Sequence, residues 1–174
     1  MKTHKPLVLL AYLTATAASL HIVESLVMRM FPLPFIRIGL SNIVILYLIM
    51  QNQPLSAIIV NIVKTILGGA VTLTLLSPAT LLSLGGGICA VVVMYLTHKS
   101  RLGFGVFGIS IAGAVAHNLG QLILVKWLIF PDTAVFLLTP MLILIGMLSG
   151  MAIAYIMLVV SDKLKDSRLI NNDR

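Results

Sequence analysis

Long apolar runs, separated by short polar or proline-containing segments, make up almost the whole 174-residue chain. An α-helix that crosses the ~30 Å hydrocarbon core of a membrane needs roughly 20 residues, and most of these runs have about that length. The pattern therefore predicts an all-α bundle of about six transmembrane helices. They cover residues 6–28, 38–50, 55–76, 80–96, 107–130 and 134–160, so residues 1–160 form one transmembrane domain and residues 161–174 a polar tail.

The second of these helices is the shortest. Residues 38–50 extend only about 20 Å as an α-helix, which is too short to cross the membrane. Pro32 and Pro34 disfavour helix in the segment before it. We therefore expect the second helix to begin within the membrane, and the loop at 29–37 to lie partly inside the outer half of the bundle, where protein covers it.

The start of the chain allows two interpretations. Lys2 and Lys5, an apolar stretch and the small residues Ala15-Thr16-Ala17 resemble a cleavable signal peptide. The apolar character continues as far as Met28, however, and a run of that length favours an uncleaved first helix.

The composition indicates that lipid, rather than water, is the main solvent. Hydrophobic residues make up 59% of the chain and charged residues 10%, whereas a soluble domain has about 25% charged residues. The net charge of +7 could suggest nucleic-acid binding, but the basic residues lie at the ends of apolar runs. That placement is typical of the positive-inside rule, so we expect a lipid bilayer and no nucleic acid as the partner.

The same basic residues predict the orientation. With the N-terminus in the cytoplasm, the outer loops hold only Arg29 and Arg37. The inner segments then hold Lys2, Lys5, Lys99, Arg101, Lys163, Lys165, Arg168 and Arg174. Because cytoplasmic loops carry the excess of positive charge, both termini are expected to face the cytoplasm.

A few polar residues interrupt the apolar runs, and they are candidates for function because placing them in a membrane costs free energy. Helical rise and the predicted orientation put them between the midplane and the outer surface. The predicted pocket residues are Glu24, Asn42, Lys64, His117, Asn118 and Gln121, with Arg37 in the loop above them. Lys64 and Arg37 favour a ligand with a negative group, and Glu24 leaves room for a cationic part.

Structural roles are the alternative for the same residues. His117 and Gln121 could hydrogen-bond neighbouring helices, as polar residues in membrane bundles often do. Glu24 could pair with His21 or with a loop arginine as a clamp between helices. Lys64 cannot reach the headgroups from the midplane, which favours a partner charge or an anionic ligand.

Several motifs are missing from the sequence. There is no G-x-x-x-x-G-K-[ST] sequence, so the chain has no P-loop for ATP. The sequence has no H-E-x-x-H pattern and no paired cysteine and histidine residues of the kind that bind zinc. The sequence also has no aspartate-rich motif that could hold the Mg²⁺ ions that prenyl diphosphate chemistry needs. We therefore expect no catalytic residues, no metal site and no cofactor.

The polar motifs, taken in chain order, resemble a known family. The most specific are Arg37-Ile-Gly-Leu-Ser-Asn42 and Gly113-Ala-Val-Ala-His-Asn118 followed by Gln121. The motifs His21-Ile-Val-Glu24, Phe31-Pro-Leu-Pro34 and Leu82-Ser-Leu-Gly-Gly86 agree with them. Over residues 7–160 the chain is similar to the Gx transporter family, which is also called heptaprenyl diphosphate synthase component I.

This resemblance has implications for architecture and partners. The family is grouped with the substrate-binding S components of energy-coupling factor (ECF) transporters of prokaryotic cell membranes. It implies about six helices, cytoplasmic termini and a pocket that opens outward beneath the loop after the first helix. It also implies an A-x-x-x-A face that docks on the transmembrane T subunit, which Ala11 and Ala15 match, and separate ATPase subunits.

Three hypotheses follow for the function. The first is a non-catalytic subunit that captures a small molecule for uptake: a vitamin, a quinone or an isoprenoid precursor. The second is a membrane accessory subunit for long-chain (heptaprenyl) diphosphate synthesis, which holds the chain or the product while a partner performs the chemistry. The third is a purely structural subunit of a larger membrane complex.

Overall fold

The computed structural model describes residues 4–28, 39–100, 102–129 and 133–172. Throughout these ranges the chain is helical, with turns and no strands. Its elements are α1 (His4–Met28), α2 (Asn42–Met50), α3 (Pro54–Val71), α4 (Pro78–Lys99), α5 (Val106–Leu128), a short 3-10 helix (Thr133–Leu138) and α6 (Thr139–Asn172). Five helices, α1 and α3 to α6, are long and apolar enough to cross a membrane. The prediction of an all-helical chain with membrane-spanning helices is confirmed for these five, and the orientation of the termini stays a prediction.

The second helix is shorter than predicted. It begins at Asn42 rather than at residue 38, because Gly39 has a positive φ of 75° that an α-helix cannot contain. Residues 39–41 instead form a turn, in which the Asn42 N–H donates to the Gly39 carbonyl at 2.8 Å. The nine residues of α2 extend about 14 Å, so α2 does not cross the membrane.

Helices α3 and α6 also differ from the prediction. Helix α3 ends at Val71 rather than at 76, because Leu73 has a φ of 57° and residues 72–77 form a turn. Helix α6 begins at Thr139, after the 3-10 helix, and continues to Asn172. The polar tail is therefore helical over most of its length, since helix geometry does not require apolar residues once the chain has left the core.

Helix α2 lies inside the bundle, where it contacts α1, α3, α4, α5 and α6. Six of its nine residues are buried, and Ile45, Leu46 and Ile49 form the centre of the apolar core. A helix that is apolar on all sides is normally buried. A Cβ placed on Gly39, just before α2, would lie 3.9 Å from Ile153, which is about 21 Å along α6 from Thr139. The start of α2 is therefore within the bundle rather than at one end of it.

The helices α4, α5 and α6 pack side by side, and glycines set the spacing. A Cβ on Gly150 of α6 would lie 2.6 Å from the Ile111 Cα of α5, and a Cβ on Gly146 would lie 2.9 Å from the Val115 Cα. The Ser110 hydroxyl donates to the Gly150 carbonyl at 2.7 Å. A G-x-x-x-G spacing of this kind allows two membrane helices to approach until their backbones touch.

Large apolar side chains cover much of the outer surface. On α1 the exposed fraction of Tyr12 is 71%, and Leu7 and Val23 are also exposed. The outer surfaces of α4, α5 and α6 also carry exposed apolar side chains, namely Leu81, Trp127 and Leu144. A soluble monomer rarely has so much contiguous apolar surface, which fits a bundle surrounded by lipid.

The close approach of α5 and α6 predicts that Gly150→Ala destabilises the bundle. The new methyl group would meet backbone rather than a flexible side chain, so α6 has to move away from α5. We expect a loss of about 1–3 kcal/mol, measured as the shift of the unfolding transition in a mild detergent.

The control for this substitution is Gly105→Ala. A Cβ on Gly105 would meet nothing within 4 Å, and its φ of −74° suits alanine. Equal stability of the two variants would show that the α5–α6 contact does not depend on glycine.

Candidate functional site

The carboxylate of Glu24 is bonded to the turn that precedes α2. Glu24 lies near the end of α1 and is 5% exposed. It accepts the backbone N–H of Gly39, and its second oxygen accepts the N–H of Leu40 at 3.0 Å. Hydrogen bonds to an ionised acceptor are roughly twice as strong as neutral ones. Glu24 therefore fixes the start of α2 to α1 through these two backbone amides.

Lys64 of α3 is bonded to the same segment from another side. Its ammonium group donates to the Ser41 hydroxyl at 2.8 Å and to the Asn42 side-chain oxygen at 2.9 Å. Lys64, Ser41 and Asn42 are each only 2% exposed. A buried charge is tolerated when polar groups surround it, and the side chains at the start of α2 provide two of them.

The structure thus brings together three of the predicted site residues, Glu24, Asn42 and Lys64. They meet at the segment 39–42, which receives a carboxylate from α1 and an ammonium group from α3. Polar groups of one short segment thus provide hydrogen-bond partners for both buried charged groups. We call this arrangement the α2 junction.

A second group of polar side chains lies on both sides of two glycines in α4. A Cβ on Gly86 would lie 2.7 Å from the Gln121 side chain and 3.3 Å from the His117 ring, both of α5. A Cβ on Gly87 would lie 2.0 Å from the side-chain oxygen of Asn61, on α3. We call Asn61, His117 and Gln121, which are all at least nine-tenths buried, the glycine-flanking cluster.

The glycine-flanking cluster is connected to the α2 junction along α3. Asn61 precedes Lys64 by three residues, so the two side chains share a face of the helix. Thr65, four residues after Asn61, adds a hydroxyl to this face and is 1% exposed. Among the described residues the two groups therefore lie along one face of α3 and form a polar strip inside the bundle.

Asn118 is not part of this strip. Its amide donates to the Leu142 carbonyl of α6 at 2.9 Å, so it joins α5 to α6. Consecutive residues of an α-helix point about 100° apart, and His117 therefore faces α4 while Asn118 faces α6. Asn118 therefore has a role in helix packing, which the sequence suggested only for His117 and Gln121.

Of the remaining predicted residues, Arg37 and the loop 29–37 lie outside the described residues. Ala11 and Ala15 lie on the outer face of α1, and both are exposed. Ser19, one turn further on, is also exposed. The three residues form a strip of small side chains on the surface.

The predicted site residues did not include Ser41, Asn61 or Thr65. Asn61 could have been found as an amide in an apolar run, three residues before Lys64. Ser41 could have been found from its position next to Asn42 at the start of a helix. Thr65 has no comparable signal, because threonine is ordinary in membrane helices and its hydroxyl usually bonds to its own backbone.

The arrangement provides hydrogen-bond donors and acceptors in an apolar environment, which suits binding. Among the residues that the structure describes, no three histidine, cysteine, aspartate or glutamate side chains come together as a metal site. A few polar groups among apolar side chains are typical of small-molecule sites, where they orient the ligand.

The bonds of Glu24 predict that Glu24→Gln destabilises the protein. A carboxamide has one oxygen, so it can no longer accept both the Gly39 and the Leu40 N–H with two oxygens. We expect a loss of about 1.5–3 kcal/mol, which is typical for a hydrogen bond to a charged group, measured by unfolding in a mild detergent. The control Asp162→Asn removes an exposed carboxylate of α6 and should change little. A Glu24→Gln protein as stable as this control would contradict the role of Glu24 at the α2 junction.

Comparison with known proteins identifies a family. No curated protein and no solved structure matches the chain significantly. The family heptaprenyl diphosphate synthase component I, in contrast, matches residues 13–160, which include the whole polar strip. The chain therefore belongs to the heptaprenyl diphosphate synthase component I family.

Proposed function

We propose that this protein is the substrate-binding subunit of an ECF-type uptake transporter, which captures a small molecule from the outer side of a prokaryotic cell membrane. The observation that carries the proposal is the glycine-flanking cluster. Asn61 of α3 and His117 and Gln121 of α5 contact α4 at adjacent glycines, in the interior of a bundle whose outer surface is apolar.

The free-energy cost of burying polar side chains supports a binding role for this cluster. Polar side chains inside a membrane protein are costly, and those that are kept usually contact a substrate, an ion or one another. The α2 junction lies beside the cluster and orders the start of α2. In this proposal the junction is the rigid frame of the site, and the cluster provides the contacts to the ligand.

The proposed partners are a T subunit and separate ATPase subunits. The sequence has no P-loop motif, so energy for transport has to come from another chain. The exposed strip of Ala11, Ala15 and Ser19 on α1 is the proposed contact for the T subunit, because small residues allow another membrane helix to approach closely. Uptake, rather than catalysis, also fits a sequence without an aspartate-rich motif for diphosphate-bound Mg²⁺.

The proposal predicts that the protein purifies with a small molecule and that Gln121→Leu loses it. Leucine has a similar size and removes the amide, so the packing against Gly86 is largely kept. Native mass spectrometry after extraction in a mild detergent is expected to show a bound molecule in the wild type and at least about a tenfold weaker retention in the variant, which is about 1.4 kcal/mol of binding free energy.

The control is Gln53→Leu, which changes an exposed glutamine at the turn between α2 and α3. This variant should retain the molecule. The proposal is wrong if the wild type carries no small molecule, or if both glutamine variants retain it equally.

The family name favours a second candidate function. A synthase component without catalytic residues could hold a growing prenyl chain or its product while a soluble prenyltransferase performs the chemistry. The exposed apolar faces of α1 and α6 are suited to binding a prenyl chain, although contact with lipid explains these faces equally well.

This second candidate predicts that co-expression with a soluble prenyl diphosphate synthase raises its rate or lengthens its product. Product chain length is measured by chromatography with and without the membrane protein. The matched control is the same synthase with the Gln121→Leu variant, which should have the wild-type effect if only the apolar surface matters. An unchanged rate and an unchanged chain length would exclude the accessory role.

A further inference from the structure

Two buried side chains of α3 have polar atoms without a hydrogen-bond partner among the residues that the structure describes. Asn61 is fully buried, and its amide nitrogen donates to the Leu84 carbonyl at 3.3 Å. This bond fixes which end of the amide is the oxygen, and that oxygen faces Gly87 without a donor. The Thr65 hydroxyl is 1% exposed, and it also has no partner among the described residues.

Thr65 differs in this respect from other threonines of the bundle. The Thr14 hydroxyl donates to the Leu10 carbonyl at 2.7 Å, and the Thr72 hydroxyl donates to the Gly68 carbonyl at 2.7 Å. Both bond to the residue four positions earlier, which is the usual arrangement in membrane helices. Because a buried polar atom without a partner costs free energy, an unused hydroxyl and an unused amide oxygen four residues apart require an explanation.

The charged groups near these two residues already have hydrogen-bond partners. The Lys64 ammonium group donates to Ser41 and to Asn42, and Glu24 accepts two N–H groups of the same segment. The Asn61 oxygen can only accept a hydrogen bond, so a negative group does not suit it. An uncharged donor therefore suits these two residues better than the negative ligand group that the sequence favoured.

We propose that Asn61 and Thr65 determine the specificity of the binding site, and that they recognise an uncharged part of the ligand that carries an N–H or O–H donor. The Asn61 oxygen accepts this donor, and the Thr65 hydroxyl either donates or accepts beside it. An amide, a urea-type group or an alcohol has this chemistry, whereas a carboxylate or a diphosphate does not. This inference rests on the proposed binding function and narrows the substrate class.

The test compares Thr65→Val with Thr14→Val. Valine has the shape of threonine without the hydroxyl, so Thr65→Val removes only the unused polar atom, and Thr14→Val removes a hydroxyl that serves its own helix. Small molecules extracted from each purified protein are quantified by mass spectrometry. We expect the wild type and Thr14→Val to retain an uncharged molecule, and Thr65→Val to retain about tenfold less or none. Thr65→Ser, which keeps the hydroxyl, should restore retention.

Inorganic pyrophosphate is the probe for the alternative chemistry. We expect it to leave the Tm of the wild-type protein unchanged in the presence of Mg²⁺. A rise in Tm that disappears in Lys64→Met would overturn the inference in favour of an anion site.

The outcomes separate this inference from the proposed function. A molecule that Thr65→Val retains as well as the wild type overturns the role of Thr65 and leaves the binding function standing. If the retained molecule is an anion, the inference of an uncharged ligand is overturned and the binding function stands. A wild-type protein that carries no molecule overturns both, and a bound water is then the remaining partner for Asn61 and Thr65.

Discussion

The fold depends on how a short helix begins inside an apolar bundle. A turn at that depth has backbone N–H groups that neither water nor helix geometry can satisfy, and such groups are expensive in a membrane. Glu24 satisfies two of them, at Gly39 and Leu40, and Lys64 bonds the side chains of the next two residues. Two opposite charges from α1 and α3 thus make it possible for α2 to lie in the core, where it contacts five other helices.

The other half of the bundle is held by a different kind of contact. Between α5 and α6 the backbones meet at Gly146 and Gly150, and between α4 and α5 a Cβ on Gly86 would lie 2.9 Å from the His117 carbonyl oxygen. These contacts depend on shape and need no charge. The glycine-flanking cluster lies where the two halves meet, because α4 contacts α3 on one side and α5 on the other. The proposed ligand site is therefore at the junction between a charge-stabilised half and a closely packed half.

The sequence predicted the spanning helices well because apolar run length is a local property. It placed the start of α2 too early, because the turn at Gly39 depends on Glu24, fifteen residues away in sequence. It found Glu24, Asn42 and Lys64, which the structure brings together, because charged and amide residues are rare in apolar runs. It grouped Asn118 with His117 although adjacent residues of a helix point in different directions, and the bond of Asn118 to Leu142 could not be read from either residue. The unused hydroxyl of Thr65 could be recognised only once the positions of its neighbours were known.

The length of α2 also bears on how the protein enters the membrane. Nine residues are too few to be inserted as an independent spanning segment. During synthesis α2 therefore has no stable position until α1 and α3 are both in the bilayer and can provide Glu24 and Lys64. Since α3 follows α2 in the chain, α2 is expected to take its place at the centre of the core only after α3 has been synthesised and inserted.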